Sequence, residues 1–178
     1  MRSPVANQKP MQRETLEDGL IVFRCVETGG ILITADSYWR WLHKQPERLA
    51  HLPALAEEGY QKAEPGVVKI CPETGTLMSR FKAGHGFDFT IDRSITGNIW
   101  LDAGEWEAPR ARQFHDEIHL VFTAPWRNDV QEMEASENTS KRLEECLRSE
   151  LIERLNSLKK ELEGHPHRMM ALALLNER

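Results

Sequence analysis

One short pattern occurs three times in this chain and constrains the fold more than any other feature of the sequence. The copies begin at Cys25, Cys71 and Arg93 and read CVETGGI, CPETGTL and RSITGNI. Each contains a Thr-Gly pair followed by a return to apolar residues. Glycine permits the positive φ that a tight wrap of the backbone requires. The pattern therefore predicts tight turns at three places along the chain.

A zinc knuckle has a related form, in which two cysteines stand two residues apart before a small residue. The second and third copies are separated by 18 residues, which falls within the spacing of a ribbon-type zinc site. The ligand positions would be Cys71, Thr74, Arg93 and Thr96, with Cys25 and Thr28 in the first copy. Threonine is a poor zinc ligand and arginine repels a cation, whereas a structural zinc site needs four Cys or His donors. We therefore expect neither zinc nor another cofactor at these vestigial positions.

Residues 71–107 resemble the transcription-factor-IIB-type zinc ribbon that is found in many small bacterial proteins. That family has the pattern C-P-x-C-G-x-L, a strand ending in D-x-C, and then C-G-G-x-W-L-D-x-G-E. The matching residues are Cys71, Pro72, Gly75, Leu77, Asp92, Gly97, Trp100, Leu101, Asp102, Gly104 and Glu105. The resemblance implies a degenerate, metal-free, zinc-ribbon-like antiparallel β unit, and it implies a fold more than an activity.

The whole chain is predicted to be α+β, with this β unit followed by C-terminal helices. We expect a flexible N-terminal segment over residues 1–18. Residues 19–64 would hold the first knuckle hairpin, a Trp-bearing helix and a connector. Residues 65–133 would hold the ribbon-like module with its following helices, and residues 134–178 a C-terminal helical segment.

Several strands are predicted from short apolar runs, at residues 19–23, 31–33, 67–71, 77–81 and 99–101. Phe87, Phe89 and Ile91 alternate with polar residues, which predicts a strand with one apolar face. Asp88 and Asp92 would lie on its other face, where a solvated position is a simpler interpretation than a catalytic carboxylate pair.

Helices are predicted at three places. Asp36 or Ser37 would cap a short helix that carries Tyr38, Trp39 and Trp41, and only one of the two tryptophans can face inward. Helical spacing follows Asp102, where Asp102 and Glu105 resemble a capping box, and continues through residues 114–122. Another helix would start near Pro125, and polar residues 134–140 would form a hinge.

Leucines dominate the C-terminal segment. Leu143, Leu147, Leu151, Leu155, Leu158 and Leu162 recur at an average interval of about 3.8 residues, wider than a 3.5-residue heptad seam. This interval favours a helix packed on its own domain or on a partner over a long left-handed coiled coil. The candidate partner-binding residues are Trp39, Trp41, Leu147, Leu151, Leu155 and Leu158.

His115 and His119 stand four residues apart in a predicted helix, so both rings could face one metal ion. The segment HDEIH matches neither HExxH nor HxxEH. A packed or solvated histidine pair is the simpler interpretation, and a metal site that uses this pair with Cys71 stays an alternative.

Composition and charge narrow the function. The net charge is −5 and no Lys/Arg block exceeds two residues, which disfavours a general nucleic-acid binder without excluding one. Three cysteines are an odd and sparse set for a disulfide scaffold, which favours a reduced, cytoplasmic setting. No stretch approaches the roughly 20 apolar residues needed to span a bilayer, so we expect no membrane insertion.

These patterns favour a non-catalytic interaction or accessory protein that binds a protein partner, a larger assembly or itself. A nucleic-acid- or transcription-associated module is the alternative that the ribbon resemblance suggests, and a His115/His119 metalloprotein is the second. The sequence shows no Walker loop, Rossmann glycine motif or nucleophile elbow, so we do not expect an enzyme.

Overall fold

The computed structural model describes residues 1–5, 9–16, 19–46 and 67–176. The connector predicted after Pro46 lies outside them. The chain divides into two units, Met1–Val130 and Gln131–Arg178. The first contains a six-stranded antiparallel sheet and the second is helical. The predicted α+β class with C-terminal helices is confirmed.

The sheet is built from two antiparallel meanders. The first comprises β1 (Met11–Thr15), β2 (Ile21–Cys25) and β3 (Ile31–Ile33). The second comprises β4 (Ser79–Gly84), β5 (Phe87–Arg93) and β6 (Ile99–Leu101). β3 pairs antiparallel with β6, and the strand order is β1-β2-β3-β6-β5-β4. The two halves are therefore related by an approximate two-fold rotation about the Leu32–Trp100 pair, whose members lie opposite one another.

Two strand predictions differ from this sheet. Residues 11–15 form the paired strand β1 within the segment predicted to be flexible. Residues 67–71 form no strand and contribute only a single bridge between Ile70 and Leu77. The period of two along β5 is confirmed, because Phe87, Phe89 and Ile91 are all buried.

The core lies on both faces of the sheet, because neighbouring residues of a strand point to opposite sides. On one face Ile31 and Ile33 join the larger cluster, which includes the aromatic residues of β5. On the other face Leu32 and Trp100 pack with Cys25 and Cys71. Both knuckle cysteines therefore belong to the smaller core.

The described residues form five α-helices: α1 (Ala35–Leu42), α2 (Glu107–Ala111), α3 (Ala124–Cys146), α4 (Ser149–Leu162) and α5 (Arg168–Asn176). The hydroxyl of Thr34 caps α1 by accepting a hydrogen bond from the Ser37 amide at 3.3 Å, so the predicted caps Asp36 and Ser37 were wrong. Pro125 does lie in the first turn of α3, as predicted.

Two helical predictions also fail. Residues 118–122 form a short 3-10 helix after a turn, not the continuation of a longer α-helix. The hinge predicted over residues 134–140 is continuous α3, and the break falls at residues 147–148 instead. In the part of the chain described, no helix combines the length and apolarity needed to cross a membrane.

Candidate functional site

The first two copies of the repeated pattern, the knuckles at residues 25–31 and 71–77, follow the same backbone path. In the first, the Gly29 amide donates to the Cys25 carbonyl at 2.8 Å, and in the second the Gly75 amide donates to the Cys71 carbonyl at 2.9 Å. Both glycines have positive φ, 75° and 69°. The repeated sequence therefore specifies the same turn twice, because glycine adopts this conformation without steric cost.

The third copy of the pattern forms a loop, residues 94–98, that is one residue shorter than the loops of the first two copies. Here the Ser94 amide donates to the Asn98 carbonyl at 2.8 Å and the Gly97 amide to the Ser94 carbonyl at 3.0 Å. Ser94 therefore occupies the position that corresponds to Cys25. Arg93 belongs to β5, and its guanidinium lies 5.0 Å from the centre of the Phe122 ring. The assignment of Arg93 to a vestigial ligand position was wrong, since its side chain packs on Phe122.

Asn98 joins the second and third loops. Its side-chain amide donates to the sulfur of Cys71 at 3.3 Å and also contacts the Glu73 carboxylate. Its own backbone amide donates to the Ser94 hydroxyl at 3.0 Å. The Ser94 hydroxyl in turn lies 2.9 Å from the Thr96 hydroxyl. Sequence reasoning missed Asn98, although it follows the Thr-Gly pair in the third copy, where the first copy has glycine.

Hydrogen bonds lower the pKa of the thiols of Cys25 and Cys71. Burial raises the pKa of the Cys71 thiol, but hydrogen bonds from Thr74, Asn98 and the backbone outweigh it, so this pKa lies below its ordinary value. Burial likewise raises the pKa of Cys25, and hydrogen bonds from Ser3, Thr28 and the backbone again lower it overall. Each knuckle thus keeps one polarised sulfur, fully buried in the sheet's smaller core.

The donor set around each sulfur does not suit zinc. The neighbours of Cys71 are hydroxyls and an amide that itself donates to the sulfur. The neighbours of Cys25 are the hydroxyls of Ser3 and Thr28. Zinc in structural sites takes thiolate or imidazole ligands in sets of four. Across the described residues, no three His, Cys, Asp or Glu side chains are grouped so that they could hold a metal ion.

A buried ion network lies beside the second knuckle. The Lys69 ammonium contacts the carboxylates of Asp92 at 2.7 Å and Asp102 at 2.8 Å, and the Arg80 guanidinium contacts Asp92 at 3.1 Å. Lys69 and Asp92 are only 3% and 2% exposed. The interpretation of Asp92 as a solvated residue was therefore wrong, whereas Asp88 is exposed.

The WLDxGE segment completes this network. The Trp100 indole donates to the Asp102 carboxylate at 2.7 Å, and the Asp102 amide donates to the Glu105 carboxylate at 2.7 Å. The second contact is half of the predicted capping box, but the Asp102 side chain turns to Lys69 instead of closing the box. Burial raises the pKa of Glu105 to about 8. When Glu105 is protonated, the network contains two cations, Lys69 and Arg80, and two carboxylates, Asp92 and Asp102, so its charges balance.

His115 and His119 lie in different surroundings. His115 is buried, with its ring centre 5.5 Å from that of Trp41 and 5.7 Å from that of Trp106. His119 lies in the 3-10 helix, where Nδ1 is 3.1 Å from the Tyr38 hydroxyl. Burial lowers the pKa of His119. Because the segment is not α-helical, the spacing of four does not place the two rings on one helical face.

The described residues of the first unit line at least two pockets. One, of about 220 Å³, is lined by Tyr38, Trp39, Arg93, Gly97, Ile99, His119, Phe122 and Thr123. The other, of about 400 Å³, is lined by Arg13, Gly19, Ile21, Phe23, Thr34, Asp36, Ser37, Arg40, Trp41 and Lys44. Its charged lining has three cations and one carboxylate, so it suits an anion lying against an aromatic surface.

The predicted partner-binding residues divide between the two units. Trp39 is 45% exposed, whereas Trp41 is 4% exposed and packs against Trp106. Trp41 is therefore not available to a partner. Leu147 lies between α3 and α4, and Leu151, Leu155 and Leu158 lie on α4. Leu151 and Leu155 are 43% and 44% exposed.

Comparison with protein-family models, with curated proteins and with solved structures finds no match for this chain.

Proposed function

We propose that this protein is a non-catalytic accessory protein in which a metal-free ribbon-like platform carries C-terminal helices that bind a protein partner or assembly. The observation that carries this proposal is that none of residues 131–175 is buried. Apolar side chains in this region are nevertheless numerous: Met133, Leu143, Leu151, Leu155, Met169, Met170, Leu172, Leu174 and Leu175 are all exposed. A segment that leaves this many apolar side chains in contact with water is typical of one that binds a protein partner.

The chemistry of the first unit supports a structural role for its polar residues. Cys25, Cys71 and Glu105 are fully buried, so none of them can meet a substrate without opening the core. The carboxylates of Asp92 and Asp102 are bound to Lys69. Hydrogen bonds and ion pairs would take the place of zinc in joining the loops of this platform.

Affinity purification and native mass measurement of the full chain test this proposal. We expect a stoichiometric complex that the triple variant Leu151→Gln, Leu155→Gln, Leu158→Gln abolishes. The matched control, Glu153→Gln with Lys160→Gln, changes neighbouring positions of the same helix and should retain the complex. A monomeric full chain without a stoichiometric partner contradicts the proposal, as does a complex that the leucine variant retains.

The cationic pocket favours a second candidate, a single-stranded nucleic-acid-binding module. Arg13 and Lys44 would contact phosphates, since Arg40 is already paired with Asp36, and Phe23 would offer a surface for a base. Fluorescence anisotropy with a labelled oligonucleotide across a salt series tests it. Binding that weakens with salt, and also with Arg13→Gln and Lys44→Gln together, supports this candidate. Binding that is absent at low salt rules it out.

A further inference from the structure

The leucines of α4 recur at a shorter average interval than those of the full leucine series. The structure places Leu143 on α3 and Leu147 in the break, which leaves Leu151, Leu155, Leu158 and Leu162 on α4. Leu151 and Leu158 are seven residues apart, as are Leu155 and Leu162. This is the alternation of two heptad positions that forms the seam of a helix pair. Leu143 and Leu147, which lie outside α4, add two further intervals of four residues and so raise the average over the whole series.

The seam of α4 is only partly covered, because Leu151 and Leu155 are exposed whereas Leu158 and Leu162 are half-buried. No residue of α4 is buried. An isolated helix of 14 residues is only marginally stable in water, so α4 gains most of its stability from whatever covers its leucines.

The charges beside the seam distinguish the possible orientations of a paired helix. Arg154 and Glu161 occupy one flank, and Lys159 occupies the other. In a parallel pair, opposite flanks meet, so Arg154 would face Lys159 of the second copy. In an antiparallel pair, the same flanks meet, so Arg154 would face Glu161 of the second copy. Only the antiparallel pair is complementary in charge.

We propose that α4 binds α4 of a second copy of this chain in an antiparallel pair. Leu155 of one copy packs on Leu158 of the other, Leu151 packs on Leu162, and two Arg154–Glu161 ion pairs flank the seam. This inference rests on the proposed function, because it names a second copy as the partner of the C-terminal helices. It brings two first units into one particle.

Sedimentation equilibrium of the full chain over a range of concentrations tests the pairing. We expect a dimer whose dissociation constant rises about tenfold with Arg154→Glu and with Glu161→Arg, since each change makes two ion pairs repulsive. The double variant should restore the wild-type constant. Lys160→Glu and Glu153→Arg are matched controls, because they make the same charge changes on the face opposite the seam and should leave the constant unchanged.

The opposite response would identify a parallel pair. There Arg154→Glu would tighten the dimer, because the new carboxylate would face Lys159 of the second copy, and this result would overturn the antiparallel assignment. Cross-linking gives an independent measurement in a Cys146→Ser background, which removes the exposed thiol. Arg154→Cys mixed with Glu161→Cys should form an interchain disulfide, and Arg154→Cys alone should not.

The two proposals fail differently. A chain that stays monomeric but forms a leucine-dependent complex with a different protein overturns the antiparallel dimer and leaves the proposed function standing. A chain that forms neither complex overturns both. A dimer that is insensitive to Leu155→Gln and Leu158→Gln overturns the role of α4.

Discussion

The side-chain amide of Asn98 lies 3.3 Å from the sulfur of Cys71, although the two residues belong to different loops. The same side chain accepts a hydrogen bond from the Ala35 amide at 2.9 Å. Asn98 therefore connects the second knuckle, the third loop and the start of α1. It lies where the second and third loops meet.

Replacement of Asn98 by alanine should destabilise the protein by about 2–4 kcal/mol, because the buried sulfur of Cys71 and the partly buried amide of Ala35 lose their partner at once. The pKa of the Cys71 thiol should rise, since one of the hydrogen bonds that lower it is removed. Urea unfolding and thiol titration measure these effects. Asn128→Ala, on the exposed surface of α3, should change stability by less than about 0.5 kcal/mol. Equal effects at the two positions would contradict the connecting role of Asn98.

Replacement of Lys69 by methionine should destabilise the fold by about 3–5 kcal/mol, because it removes the buried cation that Asp92 and the partly buried Asp102 share. Asp92 retains Arg80, whereas Asp102 loses its ion-pair partner. Adding Asp102→Asn should therefore recover part of the loss, since an amide oxygen still accepts the Trp100 indole hydrogen bond. Chemical denaturation of the single and double variants measures this coupling, and strictly additive losses would argue against it.

Glu105 should make stability depend on pH. Its pKa of about 8 in the folded protein lies above the reference value of 4.5, so the folded state binds the proton more tightly. The free energy of unfolding contributed by this group is greatest below pH 4.5 and falls as pH rises toward 8. Glu105→Gln should remove this slope and become relatively more stable than the wild-type protein as pH rises. Unfolding curves at several pH values measure the difference, with exposed Glu107→Gln as the control.

A side chain at position 30 should destabilise the folded protein. A Cβ atom there would collide with the indole of Trp100, whose ring is fully buried. Gly30→Ala should therefore cost about 1–3 kcal/mol through overpacking. At Gly75, a Cβ would meet no atom within 4 Å, and only its φ of +69° disfavours alanine. Thermal unfolding should show a smaller loss for Gly75→Ala, and the reverse order would contradict the packing argument.

Metal removal should leave the fold intact. The hydrogen bonds of Asn98, Ser94 and Thr74 would stabilise the loops without an ion, so we expect the same melting temperature with and without EDTA. Elemental analysis of the purified protein provides the companion measurement. A stoichiometric metal whose removal melts the sheet would contradict the metal-free platform.

The alternation along β5 shows what a local sequence pattern can and cannot predict. A period of two predicts that Phe87, Phe89 and Ile91 share a face, and they do. The same pattern cannot say whether the opposite face is covered. Asp88 is exposed there, whereas Asp92 is buried because Lys69 is brought onto it from a segment without regular structure.

Local sequence patterns are sufficient to predict the class of the fold, the β2–β3 hairpin, strand β5 and the glycine turns at residues 29 and 75, because each depends on the conformational preferences of neighbouring residues. The three-dimensional structure was needed to show that β3 pairs with β6, that Asn98 meets Cys71, and that the leucine series divides at residues 147–148. Strand pairing and buried ion pairs join residues that are far apart in the chain. The periodicity of a short segment does not identify the distant segment that will pair with it.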